Sequence, residues 1–238
     1  PTIDFSDELD QAAKYDVQIV RDEWNIPHIL GKTDADTAHG LAYANAEDDF
    51  ETIQEVLLAV RGMLASVRGL EAAPNDYYVH LVQIWDNLEE QYAKLGPDSQ
   101  AICEAYSIGL NLYASQHPEK LKRNLWPTKP HDIVAGFIHK LPMMFGLHKD
   151  LARLMAETDK PTSTASVLNP DNLPVGSNFI AVGPDRSSDG ATRVCINSHQ
   201  PWVGPVSWYE AHLISEGGQN IYGGLFPGSP VILLGHNE

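Results

Sequence analysis

A serine stands where the composition of this chain changes abruptly. Glu157 to Gly176 (ETDKPTSTASVLNPDNLPVG) is rich in Pro, Ser, Thr, Asn and Asp and shows no periodicity, which marks an exposed linker. It ends at Gly176-Ser177-Asn178, and the apolar run Phe179-Ile180-Ala181-Val182 follows directly. A serine hydroxyl becomes an acyl-transfer nucleophile when a nearby base takes its proton. A Gly-Ser step alone is usually a plain turn; its place between a cleavable-looking linker and a strand singles this one out. His199, within Asn197-Ser198-His199-Gln200-Pro201-Trp202, reads by itself as a turn histidine bonded to its backbone. There is no Gly-x-Ser-x-Gly elbow, so an internal serine nucleophile of that type is not indicated. Ten histidines invite a metal site, but no HExxH or paired-cysteine motif is present. Tyr209-Glu210-Ala211-His212 reads instead as a strand edge.

The elements around these residues follow from periodicity. Asp16 to Arg21 alternates polar and apolar residues, and with Ile26 and Ile29 beyond a break it predicts a strand or hairpin. From Asp34 the pattern becomes helical, with Asp34 and Asp36 as caps and Ile53, Val56, Leu57, Val60 and Leu64 at three- and four-residue spacing. Tyr77 to Leu95 and Ser99 to Ser115 predict two further helices. Leu125 to Pro130 is an extended connector, because each proline disfavours helix in the residue before it. His131 or Asp132 then caps a helix carrying Phe137, Leu141, Met144 and Phe145, which Pro142 should kink. After the linker, Asn178 to Val182, Ala191 to Ile196, Trp208 to Ile214 and Val231 to Leu234 read as short strands.

Sixteen basic against 32 acidic side chains, a net charge of −16, exclude a general nucleic-acid binder, which needs clustered Lys and Arg. No apolar run is long enough for membrane insertion. Cys103 and Cys195 fit either a disulfide or two isolated buried thiols.

Four blocks, in order, resemble the penicillin acylase family of N-terminal-nucleophile hydrolases. Arg21-Asp22-Glu23-Trp24-Asn25-Ile26-Pro27-His28-Ile29 is similar to an early family block, with Asn25 at the usual glycine; Asn tolerates left-handed backbone geometry. Gly40-Leu41-Ala42-Tyr43-Ala44-Asn45-Ala46-Glu47-Asp48 resembles the helix motif that follows, with Asp49 where arginine is expected. Gly176-Ser177-Asn178 resembles the processing site. Pro227-Gly228-Ser229-Pro230-Val231 and Gly235-His236-Asn237 resemble the loop and strand downstream.

The resemblance implies an α+β fold, the four-layer αββα sandwich, incomplete in this chain. A mainly helical section (1–156), a spacer (157–176) and the start of a β-subunit-like section (177–238) would follow one another. It implies autocatalytic cleavage between Gly176 and Ser177, so that the serine's own α-amine, with a pKa of about 7.7–8.0, serves as its base. It makes His199 a residue that holds or tunes the nucleophile, as in the cephalosporin- and homoserine-lactone-acylase branches. Leu141, Met144, Phe145 and Leu234 would line an apolar acyl pocket. The implied reaction is hydrolysis of the linear amide of N-acyl substrates such as acyl-homoserine lactones or β-lactam side chains. No cofactor is needed for that chemistry. Family members often hold a structural Ca²⁺ through carboxylates, and Glu157 is a candidate ligand. The implied partners are a small N-acyl amide and the remainder of the β-subunit-like section beyond Glu238, without which this fragment is expected to be inactive. A periplasmic or secreted location is implied. The competing expectation is a non-catalytic binding or assembly module on the same scaffold.

Overall fold

The computed structural model describes residues 3–144, 147, 150, 151, 153 and 177–237. Among them the helices are α1 (Ser6–Ala12), α2 (Asp34–Val60), α3 (Ala65–Arg68), α4 (Ala73–Leu81), α5 (Ile84–Gln91), α6 (Pro97–Gln116) and α7 (Pro130–Met144). The strands are β1 (Val17–Arg21), β2 (Pro27–Gly31), β3 (Asn178–Val182), β4 (Arg193–Asn197), β5 (Tyr209–Ser215), β6 (Asn220–Leu225) and β7 (Leu234–His236). The fold mixes helix and sheet, and no described helix is long and apolar enough to cross a membrane.

The first hairpin turns where the sequence predicts. Asn25 has φ +67°, and the Asp22 carboxylate accepts from the N–H groups of Trp24 and Ile26, each at 2.9 Å. This side-chain-supported turn sets β1 antiparallel to β2. β2 then pairs in parallel with β5, His28 opposite His212, so the sections before and after the linker share one five-stranded sheet, ordered β1-β2-β5-β6-β7. The expectation that Tyr209 to His212 forms a strand edge is therefore corrected. The segment lies on β5, hydrogen-bonded to strands on both sides. β3 and β4 form a separate antiparallel hairpin.

One face of the sheet is covered by α2, and α6 packs on α2 as the next layer. Ile29, Ala211, Leu213 and Leu225 from the strands pack with Leu41, Ile53, Leu57, Tyr106 and Leu110 from the helices. Each fully buried aliphatic side chain contributes about 1.5–3 kcal/mol. Small residues bring the layers together. A Cβ on Gly40 would lie 2.6 Å from Val17 Cγ2, and one on Gly109 would collide with the carbonyl oxygen of His39.

Several local expectations are revised. The N-cap of α2 is Thr33, whose hydroxyl accepts from the Asp36 N–H while Asp36 accepts from the Thr33 N–H, so Asp36 closes a capping box. Asp49 interrupts α2 (φ −150°, ψ 61°), and its carboxylate accepts from the Thr52 N–H, starting the helix afresh. The helix expected from Tyr77 to Leu95 is broken at Gln83, which is left-handed (φ 52°). The Asn87 side chain binds the carbonyls of Val82 and Gln83 there. The break lets Tyr78 and Val79 of α4 and Ile84 and Leu88 of α5 reach one apolar cluster with Val56 and Val60. Helix α7 begins at Pro130, before both expected caps; Asp132 nevertheless accepts from the Lys129 N–H. The expected strand Val231–Leu234 starts only at Leu234, because Val231 donates to Ser229 Oγ in the preceding turn. Cys103 and Cys195 are not bonded to each other. Cys103 is buried, which raises its thiol pKa to about 11, whereas Cys195 is exposed on β4 rather than buried.

Candidate active site

The sequence blocks that lie far apart meet in pairs. Arg21, at the end of β1, donates to Asp48 at 2.9 Å and to Glu47 at 3.1 Å on α2. The Tyr209 hydroxyl donates to the same Asp48 carboxylate at 2.6 Å. Burial first, and then that carboxylate, push the phenol's pKa well up. Asn45 of α2 accepts from the Gly228 N–H at 3.4 Å, so the Pro227–Val231 loop rests on the helix motif. Gly228 has φ +82°, a conformation that favours glycine, and Ser229 closes the turn by donating to the Phe226 carbonyl at 2.9 Å.

That loop, α7 and the start of the β-rich section enclose a cavity of about 340 Å³. Ile133, Gly136, Phe137, Lys140 and Leu141 form its α7 wall, spaced three and four residues apart on one helical face. Ser177 and Leu234 line it from the other section. Its size is that of a small-molecule site. The structure thus brings Ser177, Leu141 and Leu234 to one cavity. Met144 belongs to α7, but its side chain, like Phe145, Gly176 and Glu157, lies outside the described residues.

His199 does not line this cavity. Its backbone is left-handed (φ 50°), its N–H donates to Asn197 Oδ1 at 3.1 Å, and its Nε2 lies 3.0 Å from the side-chain amide of Asn178. It therefore reaches the residue after Ser177, and borders a second, larger cavity of about 880 Å³ together with His139 and Lys140. Among the described residues no group of three or more His, Cys, Asp or Glu side chains converges to hold a metal ion. His28 and His212 lie with Nδ1 atoms 3.0 Å apart. His212 Nε2 lies 2.8 Å from Asn220 Oδ1, and His28 Nε2 lies 3.5 Å from the Asp22 carboxylate.

The residue that sequence reading missed is Lys140. It stands between the anticipated Phe137 and Leu141 on the same face, so its spacing was visible; an apolar reading of the helix passed over it. Its ammonium donates to the Pro227 carbonyl at 2.6 Å and sits 5.6 Å from the centre of the Phe226 ring. Burial among apolar groups lowers its pKa to about 7. Trp208 and Phe226, stacked at 4.5 Å between centroids, also line the cavity and were not anticipated.

Next to it, His139 is buried and its Nε2 donates to Asn75 Oδ1 at 2.6 Å. Burial, and then the neighbouring Lys140 charge, lower its pKa to about 4, with Asp76 opposing. A neutral buried imidazole binds its proton less readily than the unfolded chain, where histidine titrates near 6.5. Its contribution is therefore complete above about pH 6.5 and is lost as the pH falls toward 4, an expected change of about 3 kcal/mol. Urea midpoints measured between pH 7 and 4.5 should fall more steeply for the wild-type protein than for His139→Gln. Parallel slopes would show that His139 is not held neutral.

Residues 16–238 match the family model described as penicillin amidase. An acyl-homoserine lactone acylase, PvdQ, of Pseudomonas fluorescens (strain Pf0-1) is 24% identical over 245 residues, covering 92% of this chain and 32% of that protein. Aculeacin-A acylase of Actinoplanes utahensis is 23% identical over 256 residues, covering 94% of this chain and 32% of its own length. This chain thus spans about a third of the length of these relatives. A thermostable penicillin G acylase from Alcaligenes faecalis is similar in structure with a TM-score of 0.47 and 21% identity, over 63% of this chain and 95% of that one. Since the family model takes in all four sequence blocks and nearly the whole chain, this protein is a member of the penicillin amidase family.

Proposed function

We propose that this chain belongs to an acylase that hydrolyses the linear amide of N-acyl substrates, with Ser177 as an N-terminal nucleophile. The observation that carries the reading is Ser177 lining an apolar cavity with Leu141 and Leu234, in a member of the penicillin amidase family. The reading requires the Gly176–Ser177 bond to be cut, because a peptide nitrogen lacks the basicity of a free α-amine.

The α-amine of Ser177 then accepts the hydroxyl proton as Oγ bonds to the amide carbonyl carbon. That proton passes to the leaving nitrogen as the carbon–nitrogen bond breaks, giving an amine and an acyl-serine ester. Water adds to the ester carbonyl, the amine takes its proton, and Oγ leaves to regenerate the serine and release the carboxylic acid. Asn178, in contact with His199, tethers that histidine one residue from the nucleophile, a placement suited to holding it. Burial of the acyl chain along Phe137, Leu141 and Leu234 supplies the binding energy. Acyl-homoserine lactones are a substrate class consistent with the relatives' names. The four-layer sandwich is the fold in which this nucleophile would operate.

Intact-mass analysis of the full-length natural protein tests the reading. Two chains are expected, the second beginning at Ser177. An active protein in which residues 176 and 177 remain joined would refute it and leave a binding module as the reading.

A further inference from the structure

Lys140 is the one charged residue among the described residues that line the Ser177 cavity. The rest of that lining is mainly apolar, with Ile133, Phe137, Leu141, Trp208 and Phe226 contributing most of its large side chains. An ammonium has three N–H donors, and the Pro227 carbonyl is its hydrogen-bond acceptor among the described residues. A cation desolvated in this way is costly unless a counter-charge reaches it. The chain carries twice as many acidic as basic side chains, yet none of the acidic residues described lines this cavity.

We propose that Lys140 makes the cavity a subsite for acyl groups that end in a carboxylate, the ammonium pairing with the far end of the acyl chain. The apolar wall of α7 would hold the intervening methylenes. Burial lowers the pKa of the amine, and an arriving carboxylate would favour its charged form. A plain alkyl chain would instead cover the amine without giving it an acceptor. This inference rests on the acylase reading for its substrate, but its binding component does not.

The test uses the full-length natural protein and non-hydrolysable ketones. Calorimetric titration compares 6-oxoheptanoate, which carries a terminal carboxylate, with the neutral 2-heptanone. The wild-type protein should bind the carboxylate about 10- to 100-fold more tightly. Lys140→Met should lose that preference, and Lys140→Arg, which keeps the charge, should retain it. Equal affinities, or a preference unchanged in Lys140→Met, would overturn the proposal. In parallel, adipyl and hexanoyl anilides are offered as substrates. If neither is cleaved while the ketone preference holds, the acylase reading fails and the subsite stands. If the hexanoyl anilide is preferred and Lys140→Met leaves that ratio unchanged, the subsite fails and the acylase reading stands.

Discussion

Ser177→Ala in the full-length protein is expected to leave a single uncut chain and to lower amide hydrolysis by about 10⁴-fold or more. Alanine has no oxygen to carry the acyl group, so both the ester intermediate and the proposed self-cleavage disappear together. Loss of folding is not expected to contribute to this result. Ser177 is exposed, and exposed substitutions usually change stability by no more than about 0.5 kcal/mol. The measurement is therefore paired: anilide hydrolysis and intact mass, with thermal unfolding as the control. Retention of cleavage and of near-wild-type turnover in a stable Ser177→Ala protein would remove the nucleophile from the mechanism.

The largest stability effect is expected at the pair that fixes α7. Arg61, at the C-cap of α2, grips Asp132 with two hydrogen bonds of 2.7 Å and gives a third, also 2.7 Å, to the Leu125 carbonyl. Asp132 is almost fully buried, at 1% side-chain exposure, and also accepts from the Lys129 N–H at 2.8 Å. Asp132→Ala leaves a guanidinium and a backbone donor without their acceptor. Breaking a buried pair from one side costs about 3–5 kcal/mol. For a chain of this size that lowers the Tm by about 6–20 °C. Replacing both partners at once, Arg61→Met with Asp132→Leu, should recover most of the loss, because no stranded charge remains. If Asp132→Ala unfolds within about 1 kcal/mol of the wild-type protein in urea, the pair does not anchor the helix as described. Since α7 supplies Ile133, Phe137, Lys140 and Leu141 to the cavity, the same substitution should also weaken ligand binding there.

These two residues were unequally visible in the sequence. Ser177 was exposed to inspection because its neighbours are its signal: an aperiodic linker on one side and an apolar strand on the other. Asp132 could be read only as a helix cap, since its partner Arg61 lies 71 residues earlier. Lys140 shows a third situation. Its position on the wall of α7 followed from helical spacing, but its meaning required Phe226 and Pro227, which arrive from beyond the linker.

The sequence by itself determined what short-range chemistry controls. The left-handed turn at Asn25, the start of α2 near Asp34, the apolar stripe of α7 and the strand after Ser177 are all set by residues a few positions apart. Only the tertiary structure decided which of these segments meet. The parallel pairing of β2 with β5, the contact of Arg21 with Glu47 and Asp48, the break at Gln83 and the partner of His199 each depend on non-local packing. Backbone hydrogen bonds and apolar contacts across such separations carry no periodic trace in the chain, because any strand or face of suitable pattern could satisfy them. The choice is made by the combined fit of all the layers at once.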